Sequence, residues 1–185
     1  MSLTIFAALC LAACDRGQPD AAQEQGELAG AKAEFVGEVD RSRAGELMPA
    51  IMLSDPDGAQ LNLGAVQGEP VLINLWATWC APCIAEMPLL DELAVDYDGR
   101  LRVLAISQDF KGGEAVTPFF AERDFAALEP WLDPEGRVME GSEANVLPTT
   151  ILYDASGREV WRVVGDYDWS DAAARGLVDE GLEAP

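Results

Sequence analysis

The sequence predicts an α/β fold in which a central mixed β-sheet is flanked by helices. Two mostly apolar segments of strand length, Pro70–Ala77 and Leu101–Ile106, are separated by a segment with helical spacing of its apolar residues. This order is typical of a β-α-β unit with parallel strands. Two later apolar segments, Thr149–Tyr153 and Glu159–Val164, flank a turn sequence and predict an antiparallel hairpin. Parallel and antiparallel strands in one chain indicate a mixed sheet.

The predicted sheet begins with a small hairpin. Ile51–Leu53 and Gln60–Leu63 lie on either side of the turn sequence Asp55–Gly58. Proline fixes the backbone angle φ and glycine tolerates a positive φ, so Asp-Pro-Asp-Gly favours a tight turn. We therefore expect an N-terminal β-hairpin before the first buried strand.

A helix is predicted directly after the first buried strand. Its apolar residues recur every three or four positions, with acidic residues between them. The apolar residues are Ile84, Met87, Leu90, Leu93 and Ala94, and the acids are Asp91, Glu92 and Asp96. Pro88 lies inside this pattern. Because proline lacks a backbone N–H, we expect it to interrupt and kink the helix.

The second half of the chain predicts four further elements. A helix is expected around Thr117–Phe125, and Pro130–Leu132 is expected to be a short extended segment. Arg137–Asn145 predicts a short helix. Ser170–Leu182 predicts a closing helix, for which Ser170 is a suitable N-cap.

The first residues predict export and a lipid anchor. Residues 1–13 are too short for a transmembrane helix, which needs about 20 apolar residues, but they fit a secretory signal peptide. The sequence Leu11–Cys14, Leu-Ala-Ala-Cys, resembles the bacterial lipobox, in which the cysteine is lipidated and becomes the first mature residue. We therefore expect lipidation at Cys14. An ordinary signal peptide, in which Cys14 has no role, is the alternative.

The segment after the signal peptide predicts a tether. It is rich in Ala, Gly, Gln and acidic residues, and it has too little apolar surface to offset the entropy lost on ordering. We expect a lipidated N-terminus and flexible acidic linker over residues 14–46. A folded domain over residues 47–185 would then be held away from the membrane.

The net charge disfavours nucleic acid and anionic lipid as binding partners. The chain has 12 basic and 33 acidic residues, which gives a formal net charge of -21. Nucleic-acid binding requires a cationic face, so no nucleic-acid partner is expected. Electrostatic adhesion to anionic lipid is disfavoured for the same reason. The charge suits steering of basic partners, and it equally suits simple solubility.

Two cysteines in the sequence LWATWCAPCIAEMP carry the predicted chemistry. Cys80 and Cys83 lie at the predicted strand-to-helix junction, and at this spacing they can close and reopen a small disulfide ring. A helix N-terminus presents unpaired N–H groups and a partial positive charge, which favour thiolate over thiol. Pro82 is tolerated there because its missing donor would be unpaired. We expect Cys80 to be the exposed nucleophile and Cys83 the buried resolving thiol.

Other roles for the cysteine pair are disfavoured. A zinc site needs about two further Cys or His ligands, but the chain has no histidine, and Cys10 and Cys14 are N-terminal. A purely structural disulfide is disfavoured because closing so small a loop adds little stability. We therefore expect a redox disulfide between Cys80 and Cys83, and no metal site.

Two polar residues near the pair are candidates for the same site. Glu86 follows Cys83 on one helical face, where a buried carboxylate with a raised pKa can accept the proton of the resolving thiol. The alternative is an exposed glutamate without a role. Asn74, on the preceding strand, either hydrogen-bonds in this buried region or merely ends the strand.

A proline precedes the predicted C-terminal hairpin. In the sequence Leu147-Pro148-Thr149-Thr150, Pro148 is either cis, an isomer usually kept for tight geometry, or an ordinary trans proline. A cis turn beside the thiols would leave the backbone of Leu147 open to an extended peptide from a partner.

The assembled motifs resemble the membrane-tethered TlpA/ResA/CcmG-like thiol-disulfide oxidoreductases, which have the thioredoxin fold. The matching segments are Trp76–Cys83, Glu86–Pro88, Leu147–Thr150 and Gly165–Trp169. The resemblance runs over residues 47–182. It implies a thioredoxin-like fold with residues 110–130 as a central insertion.

The resemblance also implies roles for single residues. Pro148 would be the cis-proline that faces the cysteines, and Glu86 the buried acid beside them. Thioredoxins proper have an aspartate where Asn74 stands, so Glu86 would supply proton handling here. Trp79 and Leu147 are expected to contact the partner, and Leu147 replaces a glycine found in many relatives.

The implied function is reduction of disulfides in partner proteins at the outer face of the cytoplasmic membrane. We expect a monomer without a cofactor, re-reduced by a membrane electron donor and active in cytochrome c maturation or oxidase copper-site assembly. A peroxiredoxin-type peroxidase is one alternative, although it would not need the second cysteine. A copper-binding assembly factor is another, although it lacks histidine ligands. A non-catalytic binding module is the third.

Overall fold

Residues 35–183 are described by a computed structural model of the chain, and they contain one eight-stranded β-sheet. The strands are β1 (Glu38–Asp40), β2 (Met52–Ser54), β3 (Gln60–Asn62), β4 (Val71–Trp76), β5 (Arg102–Ser107), β6 (Pro130–Leu132), β7 (Thr149–Tyr153) and β8 (Glu159–Val164). The helices are α1 (Ala81–Asp96), α2 (Gly113–Ala121), α3 (Arg137–Gly141) and α4 (Ala172–Glu183), with a 3-10 turn at Leu63–Ala65.

The sheet is mixed, as the sequence predicts. Its strands lie in the order β1-β8-β7-β4-β5-β6-β2-β3. Strand β4 pairs in parallel with β5, and β5 with β6, whereas the other neighbours are antiparallel. The segment β4-α1-β5 is the predicted β-α-β unit, and β7 and β8 form the predicted hairpin at the predicted residues. The α/β class with a central mixed sheet is confirmed.

Strand β4 is buried along its whole length and separates two cores. Leu72 and Trp76 pack in the core that contains residues of α1 and α4, whereas Ile73 and Leu75 pack in the core that contains Val138 of α3. Side chains alternate between the two faces of a strand. Asn74 therefore shares the face of Leu72 and Trp76, which is the face toward α1.

Helix α1 continues through Pro88, so the expected interruption at this residue is wrong. The core-facing side chains Met87 and Leu90 on either side of the missing donor are fully buried. In proteins most helix stability comes from tertiary packing of such a face, and here packing outweighs the local preference of proline.

The folded unit begins before Leu47, and this corrects the expected boundary between linker and domain. Strand β1 pairs with the C-terminal half of β8, with Glu38 opposite Val164, and Val39 packs against the core. So short and acidic an edge strand has no apolar run that would mark it in the sequence. The expected signal peptide, the lipidated Cys14 and the linker before residue 35 lie outside the described residues.

Three helix boundaries differ from the prediction. Helix α2 begins four residues earlier than expected, at Gly113. Helix α3 ends at Gly141 because the backbone turns there, with Glu143 at a φ of 53°. Helix α4 begins at Ala172, and Asp171 rather than Ser170 caps it, since Asp171 Oδ1 accepts the backbone N–H of Ala174 at 2.8 Å.

The N-terminal hairpin forms as predicted, with β2 and β3 antiparallel. Asp55 Oδ1 accepts the backbone N–H groups of Asp57 and Ala59, and Gly58 has the positive φ that the turn requires. The hairpin extends the sheet at the β6 edge. Within the described residues, no helix is both long and apolar enough to cross a membrane.

Candidate active site at the start of helix α1

Cys80 and Cys83 form a disulfide where β4 passes into α1. Cys80 is the N-cap residue of α1, and the backbone N–H of Cys83 donates to Cys80 Sγ at 3.4 Å. Pro82 lies in the first helical turn, where its missing N–H leaves no bond unmade. Once the disulfide is reduced, the unpaired N–H groups of this turn favour a thiolate at Cys80.

The two sulfurs differ in access. Cys80 retains 6% of its surface and Cys83 retains none. Cys80 is thus less exposed than the sequence suggested, but it is the cysteine that a partner can reach. The N-cap position places Cys80 at the helix end, and one helical turn takes Cys83 into the core.

A groove of about 610 Å³ runs beside Cys80. Its walls include Trp79, Pro82, Met139 and Leu147. Trp79 is 65% exposed, which is unusual for so large an apolar side chain. The structure thus brings Trp79 and Leu147 to the same groove as the outer sulfur.

The Leu147–Pro148 peptide bond is cis. Pro148 itself is buried, and its carbonyl accepts the backbone N–H of Gly165 at 3.0 Å. Thr149 Oγ1 donates to the carbonyl of Val146 at 2.8 Å, which closes the turn around the proline. Pro148 therefore lies between the groove residue Leu147 and the segment that follows β8.

The turn before Cys80 is held by Asp109, a residue without a predicted role. Its buried carboxylate accepts the backbone N–H of Thr78 at 2.9 Å, the hydroxyl of Thr78 at 2.7 Å and the hydroxyl of Ser107 at 2.8 Å. The carboxyl ends of parallel β4 and β5 meet at one sheet edge, and Asp109 lies two residues after the end of β5. This position after β5 was the sequence feature from which the location of Asp109 near the turn before Cys80 could have been predicted.

Glu86 lies fully buried one helical turn after Cys83. Its Oε1 accepts Asn74 Nδ2 at 2.7 Å, and its Oε2 accepts the backbone N–H of Tyr167 and Trp169 Nε1, each at 3.1 Å. Within the described residues no cation forms an ion pair with it. Three neutral donors therefore hold this carboxylate.

Burial raises the pKa of Glu86 from 4.5 to about 7, and the charge of Asp166 acts in the same direction. The hydrogen bonds from Tyr167, Trp169 and Asn74 oppose this rise because they favour the charged form. Near neutral pH both protonation states of Glu86 are then populated. A group with such a pKa can both take and return a proton.

Asn74 connects Glu86 to the strand that follows Pro148. Its Nδ2 donates to Glu86 and also to Thr150 Oγ1 of β7, at 2.9 Å. Of the two alternatives that the sequence left open for Asn74, the structure has the buried hydrogen bond, whereas the sequence assigned no role to Tyr167 or Trp169. Both belong to the segment Gly165–Trp169, whose only signal was its place in the family resemblance.

No group of three or more Cys, Asp or Glu side chains within residues 35–183 is placed to hold a metal ion. The groove, the disulfide and the buried Glu86 carboxylate lie at the N-terminal part of α1. This part of the helix carries an outer sulfur, an inner sulfur and, one turn further along, a buried carboxylate.

Comparison with known proteins identifies the family to which the chain belongs. Residues 44–165 match the AhpC/TSA family. The chain is 33% identical over 129 residues to "Thiol-disulfide oxidoreductase ResA" of Geobacillus thermodenitrificans, a match that covers 68% of this chain and 72% of the relative. It is 27% identical over 133 residues to the protein of the same name from Bacillus cereus, covering 71% of this chain and 76% of the relative.

Two solved structures have the same fold. A putative thiol:disulfide interchange protein DsbE from Chlorobium tepidum has a TM-score of 0.68 at 24% identity, covering 75% of this chain and 97% of that one. The exposed lipoprotein thioredoxin Etrx1 of Streptococcus pneumoniae has a TM-score of 0.62 at 25% identity, and the match covers 70% of this chain and 98% of that one. The predicted thioredoxin-like fold is therefore confirmed, and the chain belongs to the AhpC/TSA family, in which it is similar to the thiol-disulfide oxidoreductases of the ResA type.

Proposed function

We propose that this thiol-disulfide oxidoreductase reduces disulfides in partner proteins outside the cytoplasm. The observation that carries the proposal is the asymmetry of the disulfide. Cys80 borders an open groove, whereas Cys83 is inaccessible and lies one turn before a buried carboxylate with a pKa of about 7. One sulfur can meet a partner and the other can act only within the protein.

The reaction starts from the reduced pair. The Cys80 thiolate attacks one sulfur of a partner disulfide, which forms a mixed disulfide and releases the second partner sulfur as a thiolate. Cys83 then gives its proton to Glu86 and attacks Cys80 Sγ, so that the Cys80–Cys83 disulfide forms and the first partner sulfur leaves. The proton on Glu86 returns to a departing thiolate. The partner gains two electrons and one proton from the enzyme, and the second proton that completes the two partner thiols comes from solvent.

The groove gives the partner its position. An extended segment beside the cis turn at Pro148 can present its disulfide to Cys80 while Trp79 and Leu147 contact the flanking residues. Trp79 is a large and mostly exposed aromatic side chain, which suits contact with an apolar segment. The proposed substrate is therefore a protein segment in extended form and not a small disulfide alone.

We further propose lipidation at Cys14, attachment to the outer face of the cytoplasmic membrane and re-reduction by a membrane electron donor. The lipobox-like sequence Leu11–Cys14 supports the anchor. The resemblance to ResA-type proteins supports cytochrome c maturation or oxidase copper-site assembly as the process. Metabolic labelling with a fatty acid tests the anchor, since Cys14→Ser should abolish the label and leave the purified domain active.

Partner capture tests the function. The Cys83→Ser variant should accumulate a mixed disulfide through Cys80, because the resolving sulfur is absent. Expressed in the native host, it should yield covalent adducts that a reductant releases, and Cys80→Ser should yield none. Equal adducts from both variants, or none from either, would contradict the proposal. Peroxide consumption that persists in Cys83→Ser would instead favour the peroxidase alternative.

A further inference from the structure

The segment Gly165–Trp169 contacts both the buried acid and the cis turn. Its Gly165 N–H donates to the carbonyl of Pro148, and its Tyr167 N–H and Trp169 indole donate to Glu86. We propose that Trp169 is a positioning residue of the thiol-disulfide reaction, whose indole N–H holds Glu86 in the ionised form that takes the proton of Cys83. This inference rests on the role of Glu86 in the proposed function.

The chemistry of the donors supports this assignment. An indole nitrogen only donates, so Trp169 favours the carboxylate over the carboxylic acid. Asn74 also donates to Glu86, but its amide can turn and offer an oxygen to a protonated acid. The bond from Tyr167 comes from the backbone and belongs to any residue at that position. Trp169 is thus the side chain whose identity most directly sets the charge of Glu86.

The indole is held firmly where it acts. Trp169 is fully buried, its ring stacks on Trp161 at 6.2 Å between centroids and 19° between planes, and it contacts the Tyr167 ring at 5.1 Å. Such packing fixes the direction of the N–H. A donor that needs no rearrangement can stabilise a charge at the moment it appears.

Among the described residues, the groups that face Glu86 include no cation, so only neutral donors stabilise its ionised form. Asp166, in the same segment, opposes ionisation of the acid. From β4 and β7 the neighbours are the neutral Asn74 and Thr150, and on α1 the preceding turn carries Cys83. Because these neighbours include no cation, loss of one donor should raise the pKa of Glu86.

The test compares two tryptophan variants of the whole protein in the oxidised state. Trp169→Phe keeps an aromatic ring but removes the donor to Glu86. Trp161→Phe makes the same change in the stacked ring, whose Nε1 donates to the carbonyl of Leu177 and not to Glu86. Carbon-13 NMR of the labelled Glu86 carboxyl should show its pKa higher by about one unit in Trp169→Phe and unchanged in Trp161→Phe.

A kinetic readout accompanies the titration. The rate at which Cys83 resolves a mixed disulfide should reach half its plateau at a pH about one unit higher in Trp169→Phe. Unchanged titration in Trp169→Phe, or equal shifts in both variants, would overturn the proposal even if both variants reduce disulfides. If Glu86→Gln leaves the pH profile of the wild type unaltered, the proton-transfer role fails separately, since the NMR titration still reports on Trp169.

Discussion

Asn74 Nδ2 donates to Glu86 Oε1 at 2.7 Å, and this bond joins the central strand to the active-site helix inside the core. The same amide group donates to Thr150 of β7, two residues after Pro148. Glu86 is therefore anchored to the sheet as well as to the segment that follows β8. These hydrogen bonds hold the Glu86 carboxylate in one place.

Glu86 should make folding stability fall as pH rises through the neutral range. Its pKa is about 7 in the folded protein and near 4.5 when unfolded, so between these values the folded state binds more protons. Stability from this source is complete below about pH 4.5 and is lost as pH rises through 7, a change of about 3 kcal/mol. Chemical unfolding of the wild type and Glu86→Gln across this range measures it.

Glu86→Gln is expected to lack this contribution, whatever constant offset its mismatched amide introduces. The difference in unfolding free energy between the variant and the wild type should therefore shift in favour of the variant from pH 4.5 to pH 8. Parallel curves for the two proteins across that range would show that Glu86 titrates normally.

Asp109→Asn should loosen the turn that carries Trp79 and Cys80. The amide that replaces the carboxylate keeps one acceptor oxygen for the donors of Thr78 and Ser107, so about 1–3 kcal/mol of stability should be lost. Reaction of reduced Cys80 with a disulfide reagent should be slower. The exposed Asp98→Asn is the matched control, and equal rates for both variants would argue against a positioning role.

Gly37→Ala should displace the segment that holds Glu86. A Cβ at Gly37 would lie 2.6 Å from the carbonyl oxygen of Asp166 and 2.9 Å from that of Gly165. The hydrogen bond from Gly37 N–H to Asp166, now 2.7 Å, should break, and the pKa of Glu86 should rise as Tyr167 and Trp169 move away. The NMR titration of Glu86 measures this change.

Gly176→Ala provides the control for that substitution. Gly176 lies in α4, and a Cβ added there would meet no atom of another segment within 4 Å, so alanine should stabilise the helix by about 1 kcal/mol. The pKa of Glu86 should stay the same in this variant. A Gly37→Ala protein with the stability and titration of the wild type would show that the close contact of Gly37 with Gly165 and Asp166 does not support the segment.

Arg162→Met should be strongly destabilising because it leaves Glu159 buried without a partner. The two side chains form a bidentate pair at 2.6 Å and 2.7 Å, and Arg162 also donates to the Ser142 carbonyl at the end of α3. The expected loss is about 3–5 kcal/mol, and adding Glu159→Leu should recover much of it. Arg41→Met, in the exposed pair with Glu180, should cost less than about 1 kcal/mol.

The sequence predicts the elements whose signals are local. The apolar runs of β4 and β5 and the Asp-Pro-Asp-Gly turn of the N-terminal hairpin depend on neighbouring residues, and the structure has them close to the predicted positions. The place of Cys80 at a helix start follows from the same local order. Strand β1 has no such signal, because its position depends on pairing with β8, which lies far along the chain.

Hydrogen bonds from a side chain to a segment far away in the sequence were the least predictable. Asp91 fits the acidic positions of α1, yet it is buried and accepts the backbone N–H groups of residues 126–128, which precede β6. Trp169 reaches Glu86 across the fold in a similar way. No periodicity records such a contact, since it exists only once the sheet has placed both segments.

The central claim is that Cys80 attacks the partner disulfide and Cys83 resolves the mixed disulfide. It is tested most directly by mixing reduced protein with a defined peptide disulfide and identifying the products by mass. The wild type should release two peptide thiols for each Cys80–Cys83 disulfide formed, and Cys83→Ser should stop at a peptide adduct on Cys80. An adduct on Cys83, or peptide reduction that survives Cys80→Ser, would contradict the account.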